Sequence, residues 1–433
     1  MTILTLLWCA IKGLCRAPNR IRKFGVLLLA VMFLYTAAHV LSGQFEHVAL
    51  SFTIRWVWIP LSVLFLICAY GEPMIRRSFA RFFKDIKHRG YDGRIPEYIK
   101  TIPHNRYIEI IRFKSRIPLE DWEKIKPKFE TFLNLDIKKF DNLGDKTMMN
   151  VHVIVEEIPT VIEWRDEFAV DGRRFAIGES YEGQAIWDLT QAAHGLVAGA
   201  SGAGKTALIR SIVHQAAGKC NPNSPMYGDR NSRFQLSVID MKGGGDYSNV
   251  EKYRDIEKSQ NNSIIVSEPE QARDLLRCLT VEVKTRAAKF KELGVENIEA
   301  YLNHVPEQPH MRPWLVVIDE LAELVDVKPK NKDEKQLYEE IDSYLRTLAR
   351  TSRSTGISLL FGIIRPSADI LDGQVKNSIL WRACGYFADP AASRIVLDNS
   401  RATELPADIK GRFIIGENEV QAYYMPIPKG RKE

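Results

Sequence analysis

Beyond residue 190 the chain alternates short apolar runs with longer stretches at helical spacing. The runs are Gly195 to Ala198, Gln235 to Ile239, Ser263 to Val266, Trp314 to Ile318, Ser358 to Ile363 and Ala383 to Phe387. Several are apolar at every position rather than at every second one, as strands covered on both faces of a parallel sheet must be. The pattern predicts a doubly wound α/β domain over residues 175–433. A further strand is expected at Gln421 to Met425.

Residues 91–174 read as a smaller α/β domain with its linker. Gly90 to Pro103 has the Gly, Pro and Asp density of a connection. Tyr107 to Phe113 and Val151 to Glu156 are expected strands flanking an amphipathic helix at Leu119 to Leu133. Glu163 to Thr190, with Gly172, Gly178 and Gly183, reads as a connecting β-rich segment. No His, Cys or paired-carboxylate cluster with catalytic spacing occurs here, so packing or assembly is the expected role.

The N-terminal 90 residues have another character. Phe24 to Leu41 contains no Asp, Glu, Lys or Arg, and at about 1.5 Å per residue a helix of that length roughly covers a bilayer's hydrocarbon core. Trp56 to Gly71 is shorter and contains Pro60, with Trp56 and Trp58 suited to an interface. The expectation is a two-helix transmembrane hairpin (24–41 and 56–71) in the cell membrane. Lys and Arg on both outer flanks would keep both termini, and the rest of the chain, in the cytoplasm. A signal peptide for the first run and a buried core helix for the second are the plain alternatives. Ile75 to Arg89 interleaves Phe79, Phe82, Phe83 and Ile86 with basic residues. It is expected to lie on anionic membrane lipid, with nucleic-acid contact as the alternative.

Composition sharpens this division. The 433 residues are 45% hydrophobic and 26% charged, which excludes disorder or a fibrous repeat for the bulk of the chain. The net charge of +6 is local: residues 1–90 hold 12 Lys/Arg against 3 acids, leaving 48 against 51 for the remainder. Charge alone therefore does not mark the C-terminal domain as a nucleic-acid binder. Six scattered cysteines without C-x-x-C spacing argue against a zinc site or a disulfide framework.

The chemistry centres on Gly199-Ala200-Ser201-Gly202-Ala203-Gly204-Lys205-Thr206, which satisfies G-x-x-x-x-G-K-[ST] between an expected strand and helix. In that setting backbone N–H groups wrap a phosphate, Lys205 neutralises the β- and γ-phosphates, and the Thr206 hydroxyl ligates Mg²⁺. A chance glycine-rich turn is the plain alternative. The expected strand Trp314 to Ile318 runs into Asp319 and Glu320. Asp319 is the candidate metal residue and Glu320 the candidate base; alone, a solvated strand end would explain such a pair equally well. The tandem acids, with no Asn-Lys-x-Asp, favour ATP hydrolysis over a GTPase switch.

These blocks resemble the motor domain of the FtsK/SpoIIIE family of DNA translocases. The resemblance runs from about Phe175 to Pro426 and includes His194 to Gly199, Val238-Ile-Asp240-Met-Lys242, Lys291 to Tyr301, Val316 to Glu320, Arg353 to Leu359, Arg365-Pro366-Ser367 and Ser393 to Asp398. It implies a RecA-like P-loop motor using ATP and Mg²⁺, assembled as a homo-hexamer around double-stranded DNA, with single-stranded DNA as a second candidate. It also implies an arginine acting in trans on a neighbour's γ-phosphate. Arg394 and Arg401 are the candidates, with Arg382 behind them, and a surface or ion-pair role is the alternative for each. Lys242 and Gly243-Gly244-Gly245 are candidate pore residues; an ordinary turn would explain them as well. Residues 105–160 look like the family's pre-motor domain.

Two departures qualify the resemblance. Ile363 and Ile364 stand where the family usually places a polar pair that senses the γ-phosphate, and the sequence stops before a winged-helix DNA reader, so directional sequence recognition is not expected. Two spans with a compact motor resemble the membrane-bound coupling proteins of Gram-positive conjugative elements. Their partners would be a relaxase or DNA-processing complex and membrane channel proteins. A chromosome-segregation or division translocase and, in a different class, a protein-secretion ATPase or docking scaffold are the alternatives.

Overall fold

The computed structural model describes residues 72–142, 144–216, 234–243, 247, 265–305, 311–371 and 373–425. The expected membrane spans, like Gly244 and Gly245, lie outside the described residues. Among the described residues no helix is long and apolar enough to cross a membrane. The chain divides into two compact units between Glu156 and Glu157.

The first unit contains α1 (Glu72–Asp85), β1 (Glu97–Pro103), β2 (Ile108–Lys114), α2 (Leu119–Leu133), β3 (Ile137–Asp141) and β4 (Met148–Ile154). Its four strands form an antiparallel sheet in the order β1-β2-β4-β3. One face of that sheet supplies Tyr98, Ile111, Phe113, Val151 and Val153 to a core completed by α1 and α2. This corrects two sequence expectations. The latter part of the expected linker is strand β1, and the apolar face of α1 does not wait for lipid. Phe79, Phe82 and Phe83 are buried among Phe113, Trp122 and Phe129, with Phe83 edge-on to Phe113 at 5.4 Å and to Trp122 at 5.5 Å between ring centroids. Helical periodicity establishes that an apolar face exists, and an adjacent apolar sheet face covers it as well as a bilayer would.

The second unit begins with β5 (Ile162–Glu163), β6 (Arg174–Ser180), β7 (Gly183–Asp188), β8 (Gly195–Ala198), α3 (Lys205–Ala216), β9 (Gln235–Ile239) and β10 (Ile265–Val266). It continues through α4 (Pro269–Leu293), α5 (Ile298–His304), β11 (Trp314–Ile318), α6 (Ala322–Val325), α7 (Lys332–Thr351) and β12 (Ile357–Ile363). It closes with α8 (Gly373–Ser378), β13 (Trp381–Gly385), α9 (Pro390–Leu397), β14 (Arg412–Ile415) and β15 (Asn418–Tyr424). β10-β9-β11-β12-β8-β13 are parallel, and β14-β15-β6-β7 extend them in antiparallel fashion. The β-rich segment after Glu163 is therefore part of the large sheet rather than a connector.

Alternate residues of the parallel strands feed two separate cores. Val316, Ile318, Leu359 and Phe361 pack with Leu276 and Leu279 of α4 and with Ile341, Leu345 and Leu348 of α7. Leu315, Val317 and Leu360 pack with Leu208, Ile209 and Ile212 of α3. A strand covered on both sides cannot alternate polar with apolar residues, which explains the sequence Trp314-Leu-Val-Val-Ile.

Several family-like blocks build this frame rather than the site. Gly294 ends α4 in the left-handed conformation (φ 69°), and the Asn297 side chain caps α5 by accepting from the Ala300 N–H at 2.9 Å. A Cβ on Gly356 (φ 77°) would stand 2.7 Å from Ile298. Beneath the sheet, buried Arg286 donates to the carbonyls of Arg312 and Thr355, to Gln235 Oε1 and to Glu282.

Candidate nucleotide-binding site

β8 ends and the chain enters the loop 199–204 before α3. The Gly199 N–H donates to the Ile363 carbonyl (3.2 Å), the Ala200 N–H to Tyr386 (3.0 Å) and the Ala203 N–H to Ala200 (3.0 Å). Among the described residues, the amides of Ser201, Gly202 and Gly204 take no other backbone acceptor. Gly202 and Gly204 hold φ at +86° and +102°, and a Cβ on Gly204 would lie 2.7 Å from the Gly411 nitrogen. Glycine is required there by both conformation and space. Amides not used by the fold, at the start of a helix, suit a phosphate.

Facing the loop are the ends of β9 and β11. These strands pair with Ile239 opposite Ile318, and the Asp319 N–H continues the ladder to the Ile239 carbonyl at 3.0 Å. Asp240 and Asp319 therefore leave the sheet side by side, followed by Glu320. All three are buried, at 3%, 3% and 7% exposure, as is Lys205 at 5%. Charges so enclosed require partners. The Lys205 ammonium donates to the Asp319 carbonyl at 2.5 Å and lies 3.6 Å from Asp319 Oδ1 and 3.7 Å from Glu320 Oε2. Lys242 lies 3.8 Å from Asp319 Oδ2 and 3.7 Å from Glu323. The Tyr247 hydroxyl donates to Asp319 Oδ1 at 2.7 Å. Burial pushes the Glu323 carboxyl above its usual range; Lys242 opposes this, while Glu320, Asp240 and Asp319 add to it.

Glu320 is held differently. Its Oε1 accepts the Ile364 N–H at 3.1 Å, and its Oε2, 3.7 Å from the Lys205 ammonium, is buried without a hydrogen-bond partner among the described residues. An oxygen kept dry and unsatisfied suits a group that takes up a proton from an incoming water. The residues thus fit a magnesium-bound triphosphate: loop amides and Lys205 for the phosphates, Thr206 and Asp319 for the ion, Glu320 for the water. The ion would supply charge neutralisation at the phosphoryl group being transferred.

The arginine candidates separate clearly. Arg394 is exposed on α9 and has no ion-pair partner among the described residues. Arg401 bonds both the carboxylate and the carbonyl of Glu417 at 3.1 Å. Arg382 ties together the carbonyls of Lys376, Ile379 and Val396 and the carboxylate of Asp398, a structural role.

Four contributors escaped the sequence reading: Asp240, Tyr247, Gly362 and the Ile364 amide. Asp240 had a signal, since it ends an apolar strand as Asp319 does. A Cβ on Gly362 would fall 2.1 Å from the Asp319 carbonyl oxygen, so this glycine permits the approach of the strand that carries the acids. A backbone amide has no side-chain signature at all.

Residues 164–368, which hold the phosphate loop, the tandem acids and the Ile364 amide, match the FtsK/SpoIIIE family model. This region is an FtsK/SpoIIIE-family domain. The domain is similar to the DNA translocase FtsK of Clostridium acetobutylicum, with 30% identity over 272 residues, 57% of this chain and 32% of the relative. It is also similar to the DNA translocase SpoIIIE of Bacillus subtilis, with 24% identity over 272 residues, 59% of this chain and 31% of the relative. The chain thus spans about a third of the length of these curated relatives. Among solved structures, the pCW3 conjugation coupling protein TcpA, in monomer form with ATPγS, is 29% identical with a TM-score of 0.56. The match covers 81% of this chain and 95% of that one. The second unit accordingly has an α/β P-loop ATPase fold similar to that of TcpA and FtsK.

Proposed function

We propose that this chain is a membrane-anchored, ATP-driven DNA translocase that acts as a coupling protein in conjugative transfer. The observation that carries the reading is the likeness to the TcpA coupling protein, which covers 81% of this chain and 95% of that one. In the proposed cycle, Lys205 and the loop amides bind the phosphates, Thr206 and Asp319 hold Mg²⁺, and Glu320 accepts the proton of the attacking water. Arg394, exposed and without an ion-pair partner among the described residues, is the better placed of the two arginine candidates for reaching a neighbouring subunit in a homo-hexamer. The runs 24–41 and 56–71 would anchor the chain with both termini cytoplasmic. Double-stranded DNA is the proposed substrate. A relaxase-bearing complex and a membrane channel are the proposed partners.

The FtsK and SpoIIIE relatives are named only as DNA translocases, and a chromosome-segregation or division translocase is the second reading. Steady-state ATP turnover of the full chain in lipid nanodiscs, with and without double- and single-stranded DNA, tests translocation. Strong stimulation by DNA is expected, and a flat response with normal basal turnover overturns it. Plasmid transfer in cells carrying Lys205→Ala separates the readings: conjugation should fall to background with chromosome partitioning unchanged, whereas the reverse supports segregation.

A further inference from the structure

Three of the carboxylates at the end of the sheet, Asp319, Glu320 and Glu323, form ion pairs with two ammonium groups among the described residues. Lys205 serves Asp319 and Glu320. Lys242 serves Asp319 and Glu323. The two lysines differ in what surrounds them. Lys205 is buried, whereas the Lys242 side chain is 49% exposed and bends inward from the surface. The Lys242 backbone is pinned at the strand end, because its N–H donates to Asp240 Oδ1 at 3.0 Å. Its ammonium hangs on a flexible stem from a fixed point, with Asp319 and Glu323 at 3.8 and 3.7 Å and half of the side chain open to solvent.

The Asp319 carboxylate thus gathers two lysines and a tyrosine hydroxyl at the position where the family places an Mg²⁺-holding acid. A divalent ion beside Asp319 would duplicate the positive charge the lysines now supply, and like charges this close repel. Lys205 has an alternative partner in the triphosphate. Lys242 would keep Glu323 at 3.7 Å, and its half-exposed side chain also opens to a ligand on the solvent side. A compact ammonium with three donors on a flexible stem is well suited to exchanging a carboxylate for a phosphate oxygen.

We propose that Lys242 is a shared cation. It neutralises Asp319 and Glu323 while the nucleotide site lacks its own cation, and it is released to the phosphate backbone of DNA when magnesium and a triphosphate are bound. The inference rests on the reading of the chain as a DNA motor and adds to it the residue through which the two ligands sense one another. By linkage the effect is reciprocal: DNA that captures Lys242 frees Asp319 and tightens magnesium-dependent nucleotide binding.

The test measures binding of a short fluorescein-labelled duplex of random sequence to the full chain in nanodiscs by anisotropy, across a salt titration, with and without Mg²⁺ and ATPγS. Wild type should gain about tenfold in DNA affinity when both are added, and its log–log salt dependence should steepen by about one per engaged subunit. Lys242→Gln should show no gain in DNA affinity when Mg²⁺ and ATPγS are added, whatever its nucleotide-free affinity, and Lys242→Arg should keep the gain. Glu323→Gln weakens the carboxylate partnership and should raise DNA affinity before nucleotide is added. An undiminished gain in Lys242→Gln, or no rise in Glu323→Gln, overturns the proposal while leaving the DNA-motor reading in place. Absence of DNA binding by wild type in every state overturns that reading and takes this inference with it.

Discussion

The backbone N–H of Ile364 donates a 3.1 Å hydrogen bond to Oε1 of Glu320. The family's polar sensor pair is replaced here by Ile363 and Ile364, yet the position still touches the proposed catalytic base, through an atom every residue but proline carries. Ile364→Ala should therefore change ATP turnover by less than about threefold. Ile364→Pro, which removes the donor, should approach Glu320→Gln, for which loss of the base predicts about 10²- to 10⁴-fold slower turnover. Fluorescent-nucleotide binding should persist in all three, and equal losses in the Ala and Pro variants would sink the amide's role.

Lys205→Ala should abolish nucleotide binding and turnover. It should also lower the melting temperature of the nucleotide-free protein, because Asp319 and Glu320 lose the ammonium that lies 3.6 and 3.7 Å away. Breaking a buried pair typically costs about 3–5 kcal/mol, partly offset here by Lys242. Differential scanning fluorimetry without nucleotide measures it, and an unchanged or raised melting temperature contradicts the assignment.

Gly204→Ala meets two obstacles at once, a φ of +102° and a Cβ 2.7 Å from the Gly411 nitrogen. The strain should cost about 1–3 kcal/mol and displace the loop, so isothermal titration should show nucleotide affinity reduced more than tenfold. Gly416→Ala, also at positive φ but in open space, should lose stability without losing affinity.

Two buried histidines predict acid sensitivity. Burial lowers His194 and His88 to about 4, in His194 with the help of Arg353. Between that value and the unfolded histidine's pKa of about 6.5, the unfolded chain binds more protons than the folded one. The contribution is therefore complete above about pH 6.5 and declines as pH falls toward 4. His194 Nδ1 accepts the Leu359 N–H at 3.1 Å, a bond that protonation removes. Urea unfolding at stepped pH should show a loss of up to about 3 kcal/mol from His194, and a flat profile between pH 6.5 and 4.5 would rule it out.

Phe83→Ala should destabilise the small unit by about 3–5 kcal/mol, given its complete burial against Phe113 and Trp122. Near-ultraviolet circular dichroism should lose aromatic signal. If the α1 face served lipid instead, the same variant would keep its stability and lose liposome binding.

The sequence made the second unit legible for a physical reason: strands buried on both faces leave uninterrupted apolar runs, and the phosphate loop has rigid spacing. The apolar face of α1 was equally visible, but periodicity does not name what covers it. The antiparallel extension β14-β15-β6-β7 was not foreseen, because its strands come from distant parts of the chain. Within the site, Lys205, Asp319 and Glu320 stand together as their motifs imply. Tyr247 and Gly362 act through a hydroxyl and a missing Cβ, and Ile364 through its amide, but that these meet at Asp319 and Glu320 is visible only in three dimensions.

The order in which the large sheet is laid down follows from β15, which lies between β14 and β6 with Val420 opposite Ser180. Strands made early by the ribosome must wait for some 240 further residues before their edge is capped, since β6 has only β7 as a neighbour until then. Nascent chains halted before Asn418 should consequently carry an open hairpin, a natural target for chaperones and proteases, and premature stop codons in this stretch should deplete the protein rather than leave a partly working one.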